Sequence, residues 1–303
     1  YDASAQLRLP RDLLGAYYVF VRTDPIRSTL APRGAVFEAT NERNNATASA
    51  DPLLIELPPP ADLEASAIEL PPAAATGSPL RIDFSVTNSS DFNAAGSWTD
   101  SVYLSTDSAW DLGDVLLGKT SHSGGLAAGA SYAAYVEAML PPAREGQYRI
   151  LVRPDIYNEV YEGVDERNNV TASAAALNVT VPELRLGVPL ATSIGAGEQR
   201  LFRVTVGLNE TLRFDLQSSD PTASNEIYVR YGDVASAFAF DAGAEDPLAA
   251  SPTAFIPSSL AGDYYVLIQG RSGVRAPATL SVRALPFQVT DIQQDQGGDS
   301  RWV

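Results

Sequence analysis

Cysteine is absent from the 303 residues, and histidine and methionine occur once each. Without thiols the chain forms no disulfide, no zinc–thiolate centre and no cysteine nucleophile. The single histidine, His122, lies in Ser121-His122-Ser123-Gly124-Gly125, a small-residue stretch that reads as a solvated loop. Basic residues are scarce: 21 Lys and Arg against 37 Asp and Glu, a net charge of −16. That balance repels phosphates and anionic membranes, so no nucleic acid partner is expected. No apolar run reaches the roughly 18 residues a membrane-spanning helix needs, so no membrane insertion is expected. Gly-x-Ser-x-Gly, His-Glu-x-x-His and phosphate-loop motifs are all missing, and the chain reads as non-enzymatic. Carboxylates are numerous, and their separations are not legible in sequence, which leaves a glycosidase-type pair open. The chain starts Tyr1-Asp2-Ala3 without a Met or a signal peptide and reads as part of a larger protein.

What is present is an internal repeat. Tyr1 to Asp24 matches Tyr132 to Asp155 at a constant spacing of 131 residues, pairing Tyr17 with Tyr148, Val21 with Val152 and Arg22 with Arg153. From Val36 the spacing falls to 124, and Val36 to Ala50 matches Val160 to Ala174. The length change is confined to the stretch around Arg27 to Gly34, as expected for a loop on a constant framework. The second copy begins after the Pro58-Pro59-Pro60 linker. The first carries only its last part, so about 70 residues of the repeat have no counterpart ahead of Tyr1.

Strand signals dominate and helical periodicity is nearly absent. Leu80 to Asn88 alternates apolar and polar residues, the pattern of a half-buried strand. Ser101 to Ser105, Tyr148 to Arg153 and Val170 to Ala174 read as further strands between Gly, Pro, Asn and Asp clusters. The fold expected is all-β, with tandem immunoglobulin-like sandwiches followed by a sandwich or jelly-roll domain.

The second copy resembles the CARDB family, the cell adhesion related domain found in bacteria. The resemblance rests on Ala61-Asp62-Leu63, Val86-Thr87-Asn88, Asp100 through Asp107, Asp114 through Gly118, Gly146 through Asp155, and Glu162 with Glu166-Arg167-Asn168-Asn169. It implies an immunoglobulin-like sandwich, usually in tandem, in secreted or surface proteins, with no catalytic activity. Residues 183–285 are similar to the bacterial pre-peptidase C-terminal domain, through Gly195 to Arg200, Leu201 to Val206, Glu210 to Leu216, Ile227 to Gly232 and Gly262 to Gly270. That resemblance implies an accessory β-sandwich. The expected organisation is then a partial CARDB-like sandwich over 1–57, a complete one over 58–182, the accessory sandwich over 183–285, and a further domain or linker beginning at 286–303.

Two constellations are candidates for chemistry. The loop Asp107-Ser108-Ala109-Trp110-Asp111-Leu112-Gly113-Asp114 offers three carboxylates, Asp107, Asp111 and Asp114, to a hard cation such as Ca²⁺. It lacks the EF-hand spacing, and turn chemistry explains the same residues. The second set is Asp155, Glu162, Glu166, Asn168 and Asn169, mirrored by Asp24, Glu38, Glu42, Asn44 and Asn45. Its duplication points to a structural role. Five sequons occur, at Asn45, Asn88, Asn169, Asn178 and Asn209. Three functions remain open: a stalk or adhesive spacer, a filament segment completed by strands from another chain, and an accessory binding region of a hydrolase. The expected partners are neighbouring domains, other copies of the protein, or a cell-surface protein or carbohydrate, in an extracellular setting. An aromatic row among Tyr17, Tyr18, Trp98, Trp110, Tyr264 and Tyr265 would favour the binding region.

Overall fold

The computed structural model describes residues 2–7, 9, 13–25, 36–39, 44–244, 246 and 249–286. The expectations for the Arg27 to Gly34 loop, Glu42 and residues 287–303 lie outside these. The described residues are strand, turn and loop, with a 3₁₀ turn at Asp165–Arg167. The chain forms two compact units, Tyr1–Pro60 and Ala61–Val303. The division falls at the end of the Pro58-Pro59-Pro60 run.

The first unit holds two short antiparallel pairs. Strand β1 (Gly15–Tyr17) pairs with β4 (Leu53–Ile55), and β2 (Phe20–Arg22) pairs with β3 (Ala46–Ala48).

The second unit contains two sandwiches. In the first, β5 (Leu63–Glu69), β7 (Pro79–Asn88) and β10 (Ser131–Met139) form one sheet in the order β10-β7-β5. The facing sheet runs from β6 (Ala73–Ala75) through β13 (Leu177–Thr180), β11 (Gly146–Arg153) and β8 (Ser97–Ser105) to β9 (Val115–Ser123), and β12 (Thr171–Ala172) pairs with β11. Alternation explains why β7 belongs here: Leu80, Ile82, Phe84 and Val86 enter the core, while Arg81, Asp83 and Ser85 do not. Trp98, Val102 and Leu104 of β8 meet them from the facing sheet. Gly118 of β9 lies tight against β10 of the facing sheet: a Cβ there would fall 2.5 Å from Val136 Cγ1.

The second sandwich pairs β14 (Leu190–Ile194), β21 (Ala276–Ala284), β16 (Leu212–Ser218) and β19 (Thr253–Ile256) in one sheet. The other contains β15 (Gln199–Val206), β20 (Gly262–Ser272), β17 (Ser224–Tyr231) and β18 (Ala242–Gly243). Phe214, Leu212 and Leu216 of β16 pack against Val204, Val266 and Ile268. No helix among the described residues is long and apolar enough to cross a membrane.

Candidate functional site

The acidic loop between β8 and β9 is a set of local turns. Asp107 Oδ1 accepts from Ala109 N at 2.8 Å, Asp111 Oδ1 from Gly113 N at 2.6 Å, and Asp114 Oδ2 from Asp111 N at 2.9 Å. Each carboxylate thus serves an amide two or three residues away, as turn-forming Asp residues do. Trp110, in the middle of the loop, is half-buried, with the Arg153 guanidinium 4.5 Å from its ring centroid and Tyr103 edge-on at 6.0 Å. Among the described residues no group of three or more His, Asp or Glu side chains is placed to hold a metal ion. The structure therefore does not bring Asp107, Asp111 and Asp114 together as a ligand set. Calcium binding would require the three carboxylates to converge. Millimolar calcium is expected to leave the melting temperature unchanged; a rise of several degrees would show that the loop rearranges around the ion.

The repeated acid and Asn set is a clip. Asp155 is buried with a positive φ of 43°, and its carboxylate accepts from Glu159 N at 2.8 Å and Val160 N at 2.7 Å. Glu162 is fully buried; it accepts from Leu63 N at 2.5 Å and from the Asn169 side-chain amide. Glu166 Oε1 accepts from Glu162 N, and Asn168 Nδ2 donates to Asp62 Oδ1 at 2.9 Å. Together these bonds tie the loop after β11 to the start of β5, closing one end of the sandwich. Burial raises the Glu162 carboxyl to about 7, against the opposing bonds from Asn169 and Leu63 N.

A second buried acid lies across β8. Asp100 Oδ2 accepts from Tyr132 OH at 2.6 Å, and Tyr132 OH accepts from Trp98 Nε1 at 2.9 Å. Burial raises the Asp100 carboxyl to about 6, although the bonds from Tyr132 and Asp155 N favour its charged form. His122 corrects its sequence reading. It lies on β9, not in a loop, half-buried and stacked on the Tyr132 ring at 4.0 Å, with Nε2 2.9 Å from Gly125 O. Pairing of β9 with β8 placed it there, opposite Trp98.

The aromatic row does not form as a binding platform. Trp98, Tyr264 and Tyr265 are buried, Trp110 is half-buried, and only Tyr17 and Tyr18 of the six are exposed. Of the sequons, Asn88 and Asn169 are buried in the fold; Asn88 Nδ2 donates to Phe92 O at 2.7 Å.

The feature that sequence reasoning missed is the junction between the two sandwiches. Val181, just past β13, buries against Leu201, Tyr265 and Leu267. These side chains alternate with Phe202, Val266 and Ile268 of the inner core, so they cover the outer face of the β15–β20 pair. The connecting chain is itself paired: Arg203 N donates to Pro182 O at 3.0 Å, and Leu184 N donates to Arg203 O at 2.7 Å. Arg200 Nη1 reaches back to Gly77 O at 2.8 Å, and Thr76 Oγ1 donates to Leu201 O at 3.4 Å. Arg203 Nε lies 3.5 Å from Glu145, and Arg144 donates to Gly232 O at 3.1 Å.

Residues 60–173 match the CARDB family model. CARDB is a non-catalytic module found in bacterial surface proteins. Among solved structures the chain is similar to a CARDB domain from Pyrococcus furiosus, a crystal structure described as in complex with di-metal ions, at 21% identity over 40% of this chain and 89% of that one, TM-score 0.30. A second solved structure is the pre-peptidase C-terminal domain of a Bacillus anthracis collagenase, at 12% identity over 34% of this chain and 94% of that one, TM-score 0.29. A third is a β-glucosidase from Listeria innocua, at 18% identity over 39% of this chain but 16% of that one, TM-score 0.27. The chain matches no curated protein.

Proposed function

We propose that the chain is a stiff, non-catalytic spacer segment of an extracellular surface-type protein, in which the CARDB segment and the sandwich after it act as one body. The observation that carries this reading is the junction. A flexible linker would leave the orientation of two modules free. Here Pro182 and Leu184 are hydrogen-bonded to Arg203, and an apolar contact and an arginine bond lie on either side. The net charge of −16 suits a soluble stalk exposed to solvent. Neighbouring domains of the same polypeptide are its first partners.

The absence of cysteine makes the test clean, since labels attach only at introduced sites. With Ser123→Cys and Leu208→Cys carrying spin labels, the interlabel distance distribution is expected to be narrow. Val181→Asp combined with Arg200→Ala should broaden it severalfold. A broad distribution in the otherwise unaltered chain would rule out the stiff spacer.

A further inference from the structure

We infer that the outer face of the second sandwich binds a carboxylate-bearing sugar, the uronic acid unit of an acidic polysaccharide, at Arg213, Arg283 and Phe255. The inference adds a ligand to the spacer. It stands on the second sandwich alone, so it does not depend on the junction.

Alternation places the site. In β16, Leu212, Phe214 and Leu216 enter the core, so Arg213, Asp215 and Gln217 take the outer face. The same rule turns Ser281 and Arg283 of β21, and Thr253 and Phe255 of β19, to that side. Register then aligns them. Arg213 lies opposite Phe255 on one flank and opposite Arg283 on the other. A ring and two guanidinium groups thus form one row across three adjacent strands, spaced about 4.8 Å apart. The next row is Thr253, Asp215 and Ser281.

Like charges directly opposite each other destabilise a strand pair. Here two positive ones meet in a chain of net charge −16, where bases are scarce. Asp215 offsets only one of them. Its side chain is nearly buried, and Oδ1 accepts from Arg213 Nε and from Thr253 Oγ1, each at 2.8 Å. Arg283 Nη2 is 3.7 Å from Asp215 Oδ2, beyond hydrogen-bond range, and its side chain is 55% exposed. Arg213 is therefore braced from below, while the Arg283 fork is left for an external acceptor.

A planar guanidinium fork matches a carboxylate through two parallel bonds. Phe255 is 44% exposed, with the Arg213 guanidinium 5.6 Å from its ring centroid, and offers an apolar platform beside the charge. Gln217 and Ser281 add an amide and a hydroxyl in the groove bordered by Gly187 and Pro189. A uronic acid supplies a partner for each: an apolar ring face, hydroxyls and an anion. A peptide strand fits less well. In the order β14-β21-β16-β19 both β21 and β16 are internal, with no free edge to pair. The chain's distant acids do not prevent the contact, since physiological salt screens them beyond roughly 8 Å.

The test titrates oligogalacturonate, oligomannuronate and hyaluronan oligosaccharides into the full chain by calorimetry, each beside its methyl ester. At least one uronate is expected to bind at millimolar concentration, and its ester about tenfold more weakly or less. Arg283→Gln should weaken binding by about tenfold or more. It should leave the melting temperature unchanged or raised, because it removes the opposed charges. Phe255→Ala should weaken binding with no change of charge. Arg275→Gln, at nearly equal exposure on the β20–β21 turn, should leave it unaltered. The proposal is overturned if no uronate binds, if the esters bind as well, or if binding survives Arg283→Gln. Oligoglutamate binding as tightly as a uronate would make an acidic peptide the ligand instead. A fall in the melting temperature of Arg283→Gln would make the arginine pair structural and overturn the proposal equally.

Discussion

Phe214→Ala is expected to remove about 3–5 kcal/mol from the second unit, because the ring is fully buried and its loss leaves a cavity between two sheets. The informative part is where the loss is seen. Trp98 and Trp110 both belong to the CARDB segment, far in sequence from Phe214. If the junction couples the two sandwiches, their fluorescence transition moves down together with the far-ultraviolet circular dichroism, by roughly 10 °C for a body of this size. A tryptophan transition that stays in place while the dichroism splits into two steps would show independent domains and defeat the one-body reading.

Stability of the second unit is expected to rise, not fall, as pH is lowered from 8 to 5. Asp100 and Glu162 are buried acids whose carboxyls are raised to about 6 and about 7. The sign follows from proton linkage. Between the unfolded values near 4 and these folded values, the native state holds more protons than the unfolded one. The contribution is full below the unfolded values and is lost as pH rises through 6 and 7. It amounts to about 3 kcal/mol apiece at most. Asp263 acts the other way, since the Thr205 bond and then Arg203 lower its carboxyl, so its loss is felt only in more acid solution. Urea unfolding at pH 8, 6.5 and 5 measures the balance. Glu162→Gln should flatten the slope between pH 6 and 8 by roughly three quarters, because Asp100, at about 6, already loses most of its proton at the low end of that range. A stability that is level or increasing from pH 5 to 8 would mean these two acids are not held as described.

Both effects come from contacts that join distant parts of the chain. Glu162 serves an amide 99 residues away, and Arg200 reaches a carbonyl 123 residues away. Neither residue differs in sequence from a solvated surface acid or base. The doubling of Asp155, Glu162 and Asn169 in the repeat did mark them as structural. Their burial was not legible, because it depends on which strand covers the loop. His122 was misread for the same reason: small neighbours suggested a loop, and cross-strand pairing with Trp98 made it a strand residue.

By itself the sequence determined the all-β class, through period-two alternation such as Leu80, Ile82, Phe84 and Val86, and the repeat, through spacings of 131 and 124 that reappear as identical strand registers. It also carried the absence of thiol chemistry and the acidic surface. These are local or self-comparing signals, and they survive without knowledge of neighbours. The tertiary structure decided that the acidic loop's carboxylates accept from its own amides, that burial raises two carboxyls, and that Val181, Leu201, Tyr265 and Arg200 make contacts between the two sandwiches. Burial and interface contacts are properties of pairs of surfaces, and a single strand's pattern states only that it has an apolar face, not which face it meets.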